Sequence, residues 1–317
     1  MKRALLAATR WADEIADRSG AMGNVVIVDP LAVFDRSDAV SLGKPGLRSA
    51  NGSARMVRVA DGWLALNLAR ESDVELMPAW LNGRKAVDQR ADDLVGQAQL
   101  LGLPVARIGE AAPASGIVRR MGAGGLDSAG RQLRVVDLSS LWAGPLCGSV
   151  FAAMGAEVVK VESIARPDTT ATSAPALDVR LNGRKKRVAL DLRGPELRDL
   201  LDNADVIITS ARRRAFEQLE LAPEMLFVRN PALIWVAISG YGWSGAHANR
   251  VAFGDDAAAA GGLVRWTAGG APRFIGDALA DPLTGLAAAA AALDAVRRGG
   301  GFFIDAAMAG IAASAAA

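Results

Sequence analysis

Apolar residues recur along the chain in short runs whose spacing switches between that of helices and that of strands. Leu5–Ile15 carries its apolar positions at helical intervals, and Val25–Val28 reads as a short strand. A polar, glycine-containing stretch follows, from Ser37 to Ala54. Met56–Val59 and Trp63–Leu68 then read as a hairpin around Ala60-Asp61-Gly62, because Asp-Gly favours a tight turn between alternating strands. Asp92–Leu101 predicts a helix and Pro104–Ile108 a strand. Further on, Leu133–Leu138, Val158–Val161, Val188–Leu190, Val206–Thr209 and Ile234–Ser239 are strand-like, with helices at Leu146–Met154 and Glu196–Asp202. Short apolar strands alternating with helices predict an α/β fold, a mostly parallel sheet covered on both faces.

Between these stretches the character changes. Ala111, Ala112, Ala114, Ser115 and Gly116 are followed by Gly122, Gly124, Gly125 and Gly130. Small residues and glycines mark a linker. The expected organisation is a first block over 1–108, a linker over 109–132 and a second block over 133–317. No internal repeat is apparent.

Composition narrows the function. The chain has 317 residues, enough for two domains, and 51% are hydrophobic, so a large core is expected. Lys+Arg 36 against Asp+Glu 34 leaves +2, too balanced for a dedicated nucleic-acid binder. A single cysteine, Cys147, excludes a disulfide framework, and a single histidine, His247, excludes a multi-histidine metal centre. Asp13, Glu14 and Asp17 interrupt the start, which does not read as a signal peptide. No apolar run reaches the roughly 18–20 residues that cross a bilayer. A soluble cytoplasmic protein is the expectation.

Three stretches could carry chemistry. The strand ending at Leu138 runs through Ser139-Ser140-Leu141-Trp142 into Ala143-Gly144-Pro145, which sets backbone amides beside a helix start. That suits an anion or cofactor, or it is an ordinary strand-to-helix loop. Neither the G-x-G-x-x-G nor the G-x-x-x-x-G-K-[ST] fingerprint occurs. Arg184, Lys185, Lys186 and Arg187 precede a strand, and Arg212, Arg213 and Arg214 follow another; together they suit a polyphosphate, or they are solvated surface. Lastly, a glycine-rich stretch after Ser239 leads through His247 to Asp255 and Asp256 at the start of an Ala-rich helix. These acids either cap that helix or supply a carboxylate nucleophile or base. Histidine is a residue type that carries protons, which makes His247 a candidate for that role.

Several of these stretches, taken in order, resemble family III CoA transferases, the group of formyl-CoA transferase, carnitine CoA-transferase and α-methylacyl-CoA racemase. They are VVDLSSLWAGPLCG (Val135–Gly148), MGAEVVKVE (Met154–Glu162), NGRKKRVALDL (Asn182–Leu192), ADVII (Ala204–Ile208), NPALIWVAISGYG (Asn230–Gly242) and ALADPLTG (Ala278–Gly285). VRVADGWLALNL (Val57–Leu68) and LGLPV (Leu101–Val105) resemble the carboxyl-terminal part of that family yet come first here. The chain is therefore similar to a circularly permuted member.

The resemblance implies a Rossmann-like large domain with a smaller α/β domain, a homodimer, and an acyl-CoA and a carboxylic acid as substrates, with no metal. It implies CoA contacts at Ala143, Gly144, Arg184, Lys185, Lys186 and Arg212. Transferases of the family use an aspartate that forms an anhydride and then a thioester with CoA; racemases use an aspartate and a histidine to move the α-proton. Counting back from Gly261-Gly262-Leu263, the aspartate position falls on Gly254, with Asp255 one residue later. Asp255 and His247 are the expected catalytic pair. If Gly254 is a true replacement, the chain binds acyl-CoA without turnover. Asp281 is expected as a helix cap. The loop that shields the intermediate in formyl-CoA transferases falls near Gly46–Gly52.

Overall fold

The computed structural model describes residues 1–114 and 117–317; Ser115 and Gly116 of the expected linker lie outside the described residues. Twelve strands occur among them. β1 (Ala54–Val59), β2 (Gly62–Asn67) and β3 (Val105–Arg107) form an antiparallel three-stranded sheet. β4 (Val118–Arg120), β5 (Arg134–Leu138), β6 (Glu157–Ser163), β7 (Lys186–Leu190), β8 (Val206–Thr209), β9 (Ile234–Ser239) and β12 (Phe302–Ala307) build a seven-stranded sheet. β10 (Val264–Trp266) and β11 (Pro272–Phe274) are a separate antiparallel pair.

The large sheet runs β4-β12-β9-β8-β5-β6-β7, and every pairing is parallel except that of β4 with β12. Without β4 this is a doubly wound order. The chain steps outward from β5 to β7, returns to the far side of β5, and steps outward again through β8 and β9 to β12. The reversal lies between β5 and β8, where the loops after the two strands part and leave a crevice. Ser140 N–H donates to Ser210 Oγ across it at 2.9 Å.

Two apolar layers cover the sheet. On one face lie the helices 143–153, 254–260, 280–297 and 308–316, joined by the first helix, 2–20. Thus the amino-terminal helix, which the sequence groups with the first block, shares the core of the large sheet. The helix 280–297 is almost wholly buried, and its alanines let neighbours approach closely. At Gly285 an added Cβ would lie 2.7 Å from the Ala143 carbonyl oxygen, so these two helices touch backbone to side. The other face packs Phe216, Trp235, Trp243 and Phe303, with ring centroids 5.2–6.1 Å apart. Trp80, Leu64, Leu66 and Leu94 form a third core beneath the small sheet.

The expected strand Val25–Val28 is not formed. The segment joins no sheet among the described residues: Val26 N–H donates to Ser19 Oγ at 2.9 Å, while Val25 and Ile27 face outward. The segment Val118–Arg120, expected within the linker, instead adds the antiparallel edge strand. Among the described residues no helix is long and apolar enough to cross a membrane.

Candidate active site

The helix 254–260 starts with Gly254, Asp255 and Asp256, all buried. Asp256 does what a residue three into a helix commonly does: its Oδ1 accepts Phe253 N–H at 2.9 Å. The same oxygen accepts Asn67 Nδ2 at 3.0 Å. Asp256 Oδ2 and Asn67 Oδ1, both buried, have no hydrogen-bond partner among the described residues. Burial pushes the Asp256 carboxyl up to about 7, so the protonated form dominates below that pH and gives this amide–carboxyl pair a second donor. Asp255 has both oxygens engaged. Oδ1 accepts Ala278 N–H at 2.8 Å and Oδ2 accepts Asn51 Nδ2 at 2.8 Å; burial lifts its pKa to about 6.

Two more carboxylates complete the cluster. Asn51 Nδ2 also donates to Asp277 Oδ1 at 2.7 Å, and Asp277 takes a two-pronged pair from Arg36, Nε to Oδ2 at 2.5 Å and Nη2 to Oδ1 at 3.0 Å. The Arg36 guanidinium lies 5.0 Å from the centre of the Trp142 ring. Asp281 stands in the first turn of the helix 280–297, where an acid complements the helix dipole. It accepts no side-chain hydrogen bond among the described residues, and part of its surface is exposed. Burial of its carboxyl, eased by Arg36 and aggravated by Asp255 and Asp277, pushes its pKa up to about 7.

Gly254 has a specific steric reason. A Cβ there would lie 2.1 Å from Asp281 Oδ2, 2.6 Å from the Ala278 carbonyl oxygen and 2.7 Å from the Ala278 Cβ. No larger residue fits without displacing Asp281. Ala278 itself holds φ +43°, a left-handed conformation rarely adopted by alanine. Backbone strain of this kind clusters at functional sites. Leu141, in the loop after β5, is likewise left-handed at φ +69°.

His247 is elsewhere. It is exposed on the rim of a cleft of about 560 Å³ at the carboxyl ends of β9 and β12, which Tyr241, Arg250, Glu110 and Asp305 also line. Arg250 pairs with Glu110 at 2.5 Å and stacks on Tyr241 at 3.8 Å. No hydrogen bond or ion pair joins His247 to Asp255 among the described residues. Burial and the Glu110 carboxylate push the Tyr241 hydroxyl well above its ordinary range.

The expected CoA residues divide into two kinds. Arg184, Lys186 and Arg212 are exposed and make no ion pair among the described residues. Arg212 and Arg214 border a pocket of about 380 Å³ together with Arg70 and Asn249. Lys185 differs from Arg184, Lys186 and Arg212, because its ammonium is engaged internally. It donates to Asp137 Oδ2 at 2.7 Å, the Pro145 carbonyl at 2.8 Å and Asn182 Oδ1 at 2.9 Å, with both ion-pair side chains fully buried. Gly144 likewise serves the protein's own packing, since a Cβ there would lie 2.2 Å from Ser139 Oγ. Ala143 is buried. Beneath this loop Lys160 donates to the Ser139 carbonyl and pairs with Asp168 at 3.2 Å.

Arg36, Asn51, Asn67 and Asp277 escape the sequence reading. The one available signal was the loop expected near Gly46–Gly52, which supplies Asn51. Among the described residues no group of three or more His, Cys, Asp or Glu side chains is arranged to hold a metal ion.

Comparison with known proteins bears on this arrangement. The family model of CoA-transferase family III matches residues 131–317. The chain belongs to that family. It is 32% identical over 199 residues to a succinate–glutarate CoA-transferase of Agrobacterium fabrum, covering 56% of this chain and 50% of that protein. Over 118 residues it is 42% identical to the human α-methylacyl-CoA racemase, covering 36% of this chain and 28% of that one. A crystal structure of the hypothetical protein Rv3272 from Mycobacterium tuberculosis superposes with a TM-score of 0.52 at 32% identity, over 60% of this chain and 56% of that one. The family III member described here spans about half the length of the curated relatives it matches. The mixed α/β architecture with a large, mostly parallel sheet is the one shared with these structures.

Proposed function

We propose that this chain acts on acyl-CoA thioesters, moving CoA from an acyl-CoA to a carboxylic acid. The observation that carries this reading is the cluster of four carboxylates set against the strand-to-helix loop 139–144 of a family III sheet. Arg36 on Trp142 and Gly285 against Ala143 join the two. A carboxylate is the nucleophile such an exchange needs, because its anhydride reacts readily with both thiolate and acceptor acid. CoA would lie across the crevice between β5 and β8, with Arg184, Lys186 and Arg212, which make no ion pair among the described residues, as cations for its phosphates. The acyl group would enter toward the cluster. Homodimer formation and the permuted order of the two blocks belong to the same reading, supported by the family match and by the likeness of Val57–Leu68 to the family's carboxyl-terminal part.

The similarity to racemases supports a second reading, α-proton transfer, with Asp255 as one carrier and the second carrier expected at His247, which lies in a separate cleft and would have to come to it. One incubation of the purified chain in D2O separates the two. Acyl-CoAs and carboxylates of several chain lengths are supplied, and thioesters are read by mass spectrometry. A new acyl-CoA is the expected result. Deuterium in the recovered thioester without a new acyl-CoA would replace transfer by proton exchange. Neither product, with CoA bound, would sink both and leave a binding protein.

A further inference from the structure

If CoA transfer is the reaction, the structure says more about which carboxylate performs it. The two acids beside Gly254 are poorly placed to attack. Asp255 has each oxygen occupied by a donor, Asn51 on one side and the Ala278 amide on the other. Asp256 is fully buried and is tied to Asn67 and to the Phe253 amide. Asp277 is clasped by Arg36 and Asn51. Asp281 alone among the four accepts no side-chain or backbone donor among the described residues, and it is the one of the four that is only half-buried rather than buried.

Its position is as telling as its freedom. One carboxylate oxygen of Asp281 lies within 2.1 Å of where a Cβ at 254 would stand. One turn along the same helix, Gly285 packs against the Ala143 carbonyl at the start of the helix that follows the β5 loop. Arg36, which faces Asp281 electrostatically, lies over Trp142 of that loop. Asp281 is thus the member of the cluster whose helix borders the proposed CoA loop, whereas Asp255 is held against the loop of Asn51.

We propose that Asp281 is the carboxylate that attacks the thioester in this chain, its side chain standing in the room that a glycine at 254 leaves. An Asp281 oxygen adds to the thioester carbonyl carbon. The carbon–sulfur bond breaks, CoA departs as thiolate, and an acyl–Asp281 anhydride forms. The thiolate then adds to the Asp281 carboxyl carbon, the anhydride bond to that carbon breaks, and the first acid leaves as a carboxylate. The resulting Asp281–CoA thioester is attacked by the acceptor carboxylate, and the two steps run in reverse to deliver a new acyl-CoA. Arg36 balances the charge of the anionic states, and glycine at 254 is required for Asp281 to stand where it does.

The test traps the thioester on the unaltered full chain. The protein is incubated with succinyl-CoA and glutarate, quenched with hydroxylamine, digested, and searched for an aspartyl hydroxamate by fragment mass spectrometry. The expected result is a hydroxamate at Asp281. Asp281→Asn should lower exchange by more than about a thousandfold, while Asp255→Asn lowers it far less. A hydroxamate at Asp255 or Asp256, or full exchange in Asp281→Asn, overturns the assignment and leaves CoA transfer standing. If the unaltered chain exchanges no CoA with any acyl-CoA and acid of the wider panel, the transfer reading fails and this proposal falls with it. The trap needs no variant, so a misfolded substitution does not obscure the answer.

Discussion

Two groups of buried charge lie on neighbouring sides of the 143–153 helix and behave in opposite ways. At the end of β5, Asp137 faces Lys185 and Lys160, and Asp168 faces Lys160; the cations hold both carboxyls below their ordinary range despite burial. In the 255–281 cluster, four acids share one arginine, and Asp255, Asp256 and Asp281 are pushed up instead. Matched charges make a fixed strut under the loop. Unmatched ones make carboxyls that exchange protons near neutral pH, as chemistry requires. The same residue type, buried in both places, has its carboxyl held down in one and pushed up in the other because of the count of cations beside it.

The strongest way to break this contrast is to unbalance the strut. Lys185→Met leaves Asp137 buried against Lys160 alone and should cost about 3–5 kcal/mol, read as a lowered urea midpoint. A shift below about 1 kcal/mol would mean the pair is better hydrated than its burial implies. Crowding the cluster should cost less. Gly254→Asp sets a fifth acid where Asp281 already stands, and a loss of about 1–3 kcal/mol is expected from the overlap. That loss should shrink when Asp281→Gly is added, although the Ala278 contacts remain. Equal losses in both backgrounds would show that Ala278, not Asp281, sets the limit at 254.

Stability against pH sharpens the contrast from the other side. Asp255, Asp256 and Asp281 have raised folded values, so the folded state keeps protons the unfolded chain has lost. Their contribution is complete below the ordinary carboxylate value of 3.8 and is lost as pH rises through about 6 to 7. The chain should be harder to unfold at pH 5 than at pH 8. Asp256→Asn should narrow that gap by on the order of 2–3 kcal/mol, about two pKa units' worth. Asp137 and Asp168 slope the other way and only in acid, below the same ordinary value. A stability curve flat from pH 5 to pH 8 would contradict the unmatched character of the cluster. The smallest effect belongs to the exposed cations: Arg212→Ala should weaken CoA binding by at most about 1 kcal/mol, and less at high salt. Titration calorimetry at two salt concentrations reads both.

The parallel sheet was legible because each strand is a brief apolar run next to a helix-like stretch, and burial on both faces leaves the residue pattern little freedom. Val206–Thr209 and Ile234–Ser239 are found where the runs place them. Val25–Val28 looks the same as those runs but finds no partner, since pairing is decided by neighbours that no local pattern contains. Val118–Arg120 shows the reverse: two arginines hide an edge strand whose side chains lie over Phe303 and Phe302. In the candidate site, counting residues located the vacancy at 254. It could not reveal what fills it. Asp281 read as a helix cap, and its dual position at a helix start and beside Gly254 depends on how two helices far apart in sequence lean together. Lys185 read as a surface cation for a related reason, since the partner that buries it is 48 residues away.

The single side chain of Asn51 has a consequence for how the protein is made. It bonds Asp255 across 204 positions and Asp277 across 226. While the chain grows from its amino end, the loop that holds Asn51 has no acids to grip until most of the sequence has emerged. Contacts of such separation form late and slowly. In a chain growing from its amino end, the strands β5 to β9 are therefore made before the acids that Asn51 joins.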